Sequence, residues 1–138
     1  MEAFGKCLCG AVRAKIPSIS ERVGACHCTM CRKWNGGPWL GVEGGAEVHW
    51  EGEDNIAVYD SSDWAQRGFC KKCGSHLFYK LKLNSTYFIS IGLLDQAANY
   101  RLHHQVFIDE KPDYYNFVET EKTRNLTGAE VFARFSGK

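Results

Sequence analysis

Seven cysteines fall into three clusters, Cys7-Leu8-Cys9, Cys26-His27-Cys28-Thr29-Met30-Cys31 and Cys70-Lys71-Lys72-Cys73. Two thiolates a residue or two apart can close on one metal ion, and two such pairs complete a tetrahedron. Cys7, Cys9, Cys70 and Cys73 therefore read as a closed structural zinc site, stapling two regions distant in the chain. Cys26, Cys28 and Cys31 read as a second zinc site, with a fourth position open to water or a substrate thiol. Zinc held by three thiolates is a milder Lewis acid than zinc held by neutral histidines. It suits capture of a thiol as its thiolate, because a bound metal lowers the thiol pKa, and suits hydrolysis of a stable amide less well.

Other residue types could complete this chemistry. His27 lies between two ligands and is expected to point elsewhere, whereas His76 or His104 could close the tetrahedron. His104 is otherwise the candidate for moving a proton. His103 reads as a ring bonded to a carbonyl or carboxylate. Arg32 and Arg67 flank the cysteine clusters and offer the bidentate fork that the carboxylates of a small acidic thiol would need; Lys33 reads as solvated. Trp34, Trp39 and Trp64 are expected in the core or in a pocket wall, with at least one of them shielding the open zinc. Asp109, Glu110 and Asp113 around Pro112 read as a solvated turn.

Disulfides fit poorly, since an odd count leaves one thiol over and cysteines one residue apart bridge badly. The opening Met1-Glu2-Ala3-Phe4 has neither a basic start nor an apolar run, so a secretory leader is not expected and a reducing, cytoplasmic setting is. An iron–sulfur cluster would use four of the cysteines but leave the trio unexplained. The 138 residues suit a single domain, 1–138, with 44% apolar side chains and no run near the roughly 20 needed to span a membrane. Seventeen basic and sixteen acidic side chains give +1 with neutral thiols. Seven thiolates and two zinc ions would bring the loaded chain to about −2, which disfavours nucleic acid as a partner. Nothing in the chain specifies an oligomeric state.

The elements that position these residues read mainly as β. Ala11–Ile16, Trp39–Val42, Glu47–Trp50, Asn55–Tyr59, Ser75–Lys80 and Thr86–Ile91 are strand candidates, with Val106–Ile108 as another and a turn at Leu83-Asn84-Ser85. Cys28–Trp34 predicts a helical turn at the end of the trio. Thr127 followed by Glu130 is a capping box before a terminal helix. The balance implies an antiparallel β fold with cysteine pairs in turns, where backbone N–H groups can also bond to sulfur. Gly10 and Gly74, one after each half of the four-cysteine set, let the chain curl around a metal.

Three motifs together carry a family pattern: Cys7-Leu8-Cys9-Gly10-Ala11-Val12, Cys26 to Arg32, and Gly68-Phe69-Cys70 to Ser75. Ser61–Ala65, His104–Phe107 and Lys111-Pro112 accompany them. Over nearly its whole length the sequence resembles the glutathione-dependent formaldehyde-activating enzyme family, whose domain also occurs in the centromere protein V group. The resemblance implies a β-tent fold, a small zinc-bound arrangement of antiparallel sheets with few short helices. It assigns Cys7, Cys9, Cys70 and Cys73 to a structural zinc and Cys26, Cys28 and Cys31 to a catalytic one. The implied activity is that of a carbon–sulfur lyase acting on S-hydroxymethylglutathione, the adduct of glutathione and formaldehyde. A non-catalytic, zinc-stabilised module that binds a protein or small molecule is the alternative.

Overall fold

The computed structural model describes residues 1–95 and 99–136. The chain divides into two compact units, Met1–Glu21 with Gly41–Asn99, and Arg22–Leu40 with Tyr100–Lys138. The first is built on two sheets. In one, β1 (Ala3–Lys6), β2 (Arg13–Ile16) and β5 (His49–Glu51) pair antiparallel in that order. Their burial alternates strictly, Ala3, Gly5, Ala14 and Ile16 inward and Phe4, Lys6, Arg13 and Lys15 outward, as expected of a strand with one wet face.

The second sheet of this unit runs β4 (Trp39–Gly45, from Gly41 on), β9 (Tyr87–Ser90), β8 (His76–Leu81), β7 (Ala65–Cys70) and β6 (Ile56–Asp60), all antiparallel. Val42, Leu77, Phe78 and Ile89 are buried in its core. Gly68 stands opposite Phe78, whose ring occupies the space a side chain on Gly68 would need. That ring packs on Trp50 at 5.3 Å and meets Tyr87 edge-on at 5.0 Å.

The second unit contains β3 (Arg22–Cys26), α1 (Thr29–Asn35), β10 (Arg101–Val106), β11 (Arg124–Leu126) and α2 (Gly128–Ser136). Here the pairing is parallel, in the order β11-β10-β3, so the architecture is mainly β with mixed rather than purely antiparallel strands. A bulge interrupts β10: Leu102 pairs with Val23 and His104 with Gly24, leaving His103 as the extra residue. Of the expected elements, the late strand is displaced. It ends at Val106, and Phe107 adopts φ 55° before a 3-10 turn at Ile108–Glu110, so the apolar trio Val106-Phe107-Ile108 marks a strand end.

The terminal helix has its capping box: Thr127 Oγ1 accepts from the Glu130 N–H at 3.2 Å, and Glu130 accepts from the Thr127 N–H at 3.0 Å. Of the acids around Pro112, Asp113 is exposed as expected, whereas Asp109 and Glu110 are engaged. Asp109 accepts from the Gly128 N–H at 2.7 Å, and Glu110 accepts from both the N–H and hydroxyl of Thr29 at 3.1 Å. Each satisfies donors at a helix start that would otherwise lack partners.

Gly68→Ala should force the Phe78 ring off its seat and cost about 1–3 kcal/mol. In urea denaturation the midpoint should fall while the slope stays constant.

Candidate metal centres

The first cluster forms where two turns meet. Cys7 and Cys9 sit between β1 and β2, Cys70 ends β7 and Cys73 lies in the turn to β8; their four sulfurs all lie within 4.8 Å of one another. Cys7 Sγ is 3.6 Å from Cys9 Sγ, and Cys9 Sγ is 3.8 Å from Cys70 Sγ. A tetrahedron with zinc–sulfur bonds of about 2.3 Å has edges of about 3.8 Å, so the spacing is that of ligands around one ion and far from the roughly 2 Å of a disulfide. All seven cysteines are free thiols.

Both turns close on glycine. Gly10 at φ 80° donates to the Cys7 carbonyl at 3.0 Å, and Gly74 at φ 78° donates to the Cys70 carbonyl at 2.8 Å. Ser75 ties the turns together, accepting from the Leu8 N–H at 3.0 Å while its hydroxyl lies 3.2 Å from Cys73 Sγ. Donation by the Ser75 hydroxyl and backbone N–H pulls the Cys73 thiol down to about 5. The Ala11 N–H acts in the same sense on Cys9, but burial and the sulfurs of Cys7, Cys73 and Cys70 outweigh it and lift that thiol to about 11. Val12 donates its N–H to Cys7 Sγ at 3.3 Å.

The second cluster belongs to the other unit. Cys26 ends β3, Cys28 caps α1 and Cys31 lies in the first turn of that helix, again with all sulfurs within 4.8 Å. Cys28 Sγ accepts from the Cys31 N–H at 3.3 Å, and Gly36 at φ 82° ends the helix by donating to the Arg32 carbonyl at 2.8 Å. Contact with the Cys28 and Cys31 sulfurs, then burial, drives the Cys26 thiol far up. Three sulfurs packed this closely, two of them buried, cannot all carry charge unless a cation joins them, so the donor set fits a thiophilic ion such as zinc. Among the described residues no histidine nitrogen or carboxylate oxygen joins the three sulfurs.

Strand alternation distributes the neighbouring residues. Arg22, Gly24 and Cys26 share one face of β3, while Val23, Ala25 and, by continuation, His27 take the buried one. His104 pairs with Gly24 and its ring, Nε2 end foremost, fills the space over that glycine, two residues along from Cys26 on the same face. Its Nδ1 is 3.0 Å from that of His103. Burial pushes His104 below the ordinary imidazole range, helped by His103, Arg134 and Arg22. The expected carbonyl or carboxylate partner of His103 is replaced here by a second imidazole.

His27 is fully buried, and sequence reasoning did not identify its partners. Its Nδ1 is 2.8 Å from the Tyr115 hydroxyl and its Nε2 2.7 Å from Gln105 Oε1. Gln105 donates to Asn125 Oδ1 at 3.1 Å, and Asn125 donates to the Glu119 carboxylate at 2.6 Å. The carboxylate can only accept, so every donor in this chain points toward it. Gln105 must present its oxygen to His27, His27 must carry its proton on Nε2, and the Tyr115 hydroxyl must donate to the bare Nδ1. Arg32 completes the mooring, donating from Nε to the His27 carbonyl at 2.9 Å. The residue between Cys26 and Cys28 is thus held at both ring nitrogens and at its carbonyl.

The remaining candidates are dispersed. Trp34, on α1, is half-buried and packs on Trp39 at 5.8 Å. Trp64 is exposed and donates to the Tyr79 hydroxyl at 3.1 Å. Lys33 is exposed. Arg67 lies on β7 of the first unit, 3% exposed, with its guanidinium 5.0 Å from the Tyr79 ring centre. His76 begins β8 of that unit, held below its ordinary pKa by burial and then by the charge of Arg67.

Comparison with known proteins places this arrangement. The profile of a family described as glutathione-dependent formaldehyde-activating enzyme matches residues 2–110, a span that holds all seven cysteines. This chain belongs to that family. An uncharacterized lyase of Schizosaccharomyces pombe (strain 972) is 34% identical over 131 residues, 94% of each chain. A Rhodobacter sphaeroides protein of known crystal structure shares the fold with a TM-score of 0.59 at 21% identity, over 69% of this chain and 90% of its own. Membership carries a formaldehyde-activating role. No helix among the described residues is long and apolar enough to cross a membrane. Tyr115, Glu119 and Asn125, which complete the mooring of His27, lie beyond residues 2–110.

Replacing Gln105 with Leu should leave the buried His27 Nε2–H without an acceptor and cost about 1–3 kcal/mol. Nitrogen-15 shifts of the wild-type ring should show Nε2 protonated and Nδ1 bare; the opposite tautomer would contradict the directional chain.

Proposed function

We propose that this protein is a zinc-dependent carbon–sulfur lyase acting on the adduct of a small acidic thiol of the glutathione class and an aldehyde such as formaldehyde. Two zinc ions per chain would serve it, a structural one on Cys7, Cys9, Cys70 and Cys73 and a catalytic one on Cys26, Cys28 and Cys31. The observation that carries the reading is the three-sulfur cluster in a family member, which no fourth donor joins among the described residues. Zinc bound there would supply a Lewis acid that keeps an incoming thiol ionised at neutral pH.

The chain's own residues would do the rest. Adduct formation joins sulfur to the carbonyl carbon, and the thiol proton ends on the former carbonyl oxygen as a hydroxyl; the reverse step breaks the C–S bond and returns that proton. His104 is our candidate carrier. It lies on the Cys26 face of the sheet, and its depressed pKa keeps it neutral and able to accept a proton at pH 7. Arg32 has its Nε committed to the His27 carbonyl, which steadies its outer N–H groups for a substrate carboxylate. Trp34, packed on Trp39, would give an apolar wall. A reducing, cytosol-like compartment, where both thiol and ligands stay reduced, suits this chemistry.

Exchange between formaldehyde, glutathione and S-hydroxymethylglutathione, followed by NMR, tests the reading. Cys28→Ser should lose one of two bound zinc equivalents and reduce the enzyme-dependent exchange at least about a hundredfold, with the far-ultraviolet circular dichroism retained. Undiminished exchange with one zinc missing would refute it.

A further inference from the structure

The half-exposed face of β3, β10 and β11 that carries Cys26 also carries a cluster of arginines. Register puts Arg101 beside Arg22, and His104 between Gly24 and Arg124. Parallel partners project to the same side, so Arg22, Arg101, His104 and Arg124 share the Cys26 face. The bulge at His103 makes this possible. Arg101 and His104 are three residues apart and would fall on opposite faces of a regular strand, but the extra residue brings them to one side.

Arg134 joins from α2, close enough with Arg22 to depress the His104 pKa, while Arg22, Arg124 and Arg101 act likewise on His103. All four arginines are exposed. Among the described residues no ion pair joins Arg101, Arg124 or Arg134 to a carboxylate, although Arg134 also lends its charge to Glu130. Several guanidinium groups gathered around two histidines raise one another's energy, and an anion relieves that cost. On regular sheet spacings the Cα atoms of Cys26 and Arg124 stand about 12 Å apart. An extended arginine and a thiol of tripeptide size can bridge that distance together.

We infer that this arginine face, centred on Arg101 and Arg124, binds the carboxylate groups of the thiol substrate whose sulfur is directed to the Cys26, Cys28 and Cys31 centre. The inference rests on the proposed function for the thiol end alone. It makes Arg101 and Arg124 specificity-determining residues, selecting thiols that bear an anion several bonds from sulfur over simple alkyl thiols. Arg124 and Arg134 are supplied by the C-terminal segment, on β11 and α2. Guanidinium forks suit carboxylates because two parallel N–H donors meet two oxygens.

The test uses the zinc-loaded full chain and two ligands. S-methylglutathione keeps both carboxylates but has no thiol; 2-mercaptoethanol has a thiol but no carboxylate. Titration calorimetry should show S-methylglutathione binding to wild type and weakening about tenfold or more in Arg101→Ala/Arg124→Ala. Binding of 2-mercaptoethanol should be the same in both proteins. The single variant Arg124→Ala, at an exposed position, should show part of the loss and guards against a folding defect in the double variant. Failure of S-methylglutathione to bind wild type, or equal binding to wild type and both variants, would overturn the inference. Failure of the thiol reading would look different: 2-mercaptoethanol would not bind, while S-methylglutathione still bound in an arginine-dependent way.

Discussion

Close packing of sulfur is the constraint on which the rest of the molecule depends. Four sulfurs in one unit and three in the other are brought within 4.8 Å of their neighbours, a spacing that thiolates cannot hold against their own repulsion and that a central cation makes favourable. The surrounding backbone is arranged for such an ion. Glycines with positive φ curl both turns of the four-cysteine set, and a serine hydroxyl and several N–H groups point at sulfur. An ion bound by the first set would couple to folding, since its four sulfurs come from turns more than sixty residues apart.

Around the trio, one strand sorts chemistry onto two faces. β3 sends Cys26 to the half-exposed side and directs the chain so that His27 enters the core, where Tyr115 and Gln105 hold both ring nitrogens. A histidine between two cysteines is thus an anchor for the ligand loop. The histidine that shares the Cys26 face comes from β10 instead, seated over Gly24, where any side chain would displace it. The bulge beside it is part of the same device, because it aligns Arg101 with His104.

Much of this was legible in the sequence. Cysteine spacing alone gave the two sulfur clusters, Gly10 and Gly74 marked the turns of the four-cysteine set, and Thr127 with Glu130 gave the terminal helix start. The structure departs from the sequence reading where tertiary pairing decides. Arg22–Cys26 carries charge, glycine and cysteine in place of a β-branched run, yet it forms β3 because β10 pairs with it. Val106-Phe107-Ile108 has strand composition, but Phe107 turns into positive φ and the ladder lies upstream. The partners of His27 are 78 and 88 residues away, and no local pattern announces a hydrogen bond of that separation. Acids at 109 and 110 resemble a wet turn until their acceptors are seen at two helix starts.

To act on a thiol adduct, the three-cysteine centre must keep a coordination position for a thiol. Titrating the cobalt-substituted protein with glutathione tests it directly, because cobalt absorption reports a change of ligand. A saturable shift in the d–d bands and a stronger sulfur-to-metal band are expected, both lost in Cys28→Ser. An unchanged spectrum with both sites filled would show a closed centre and contradict it.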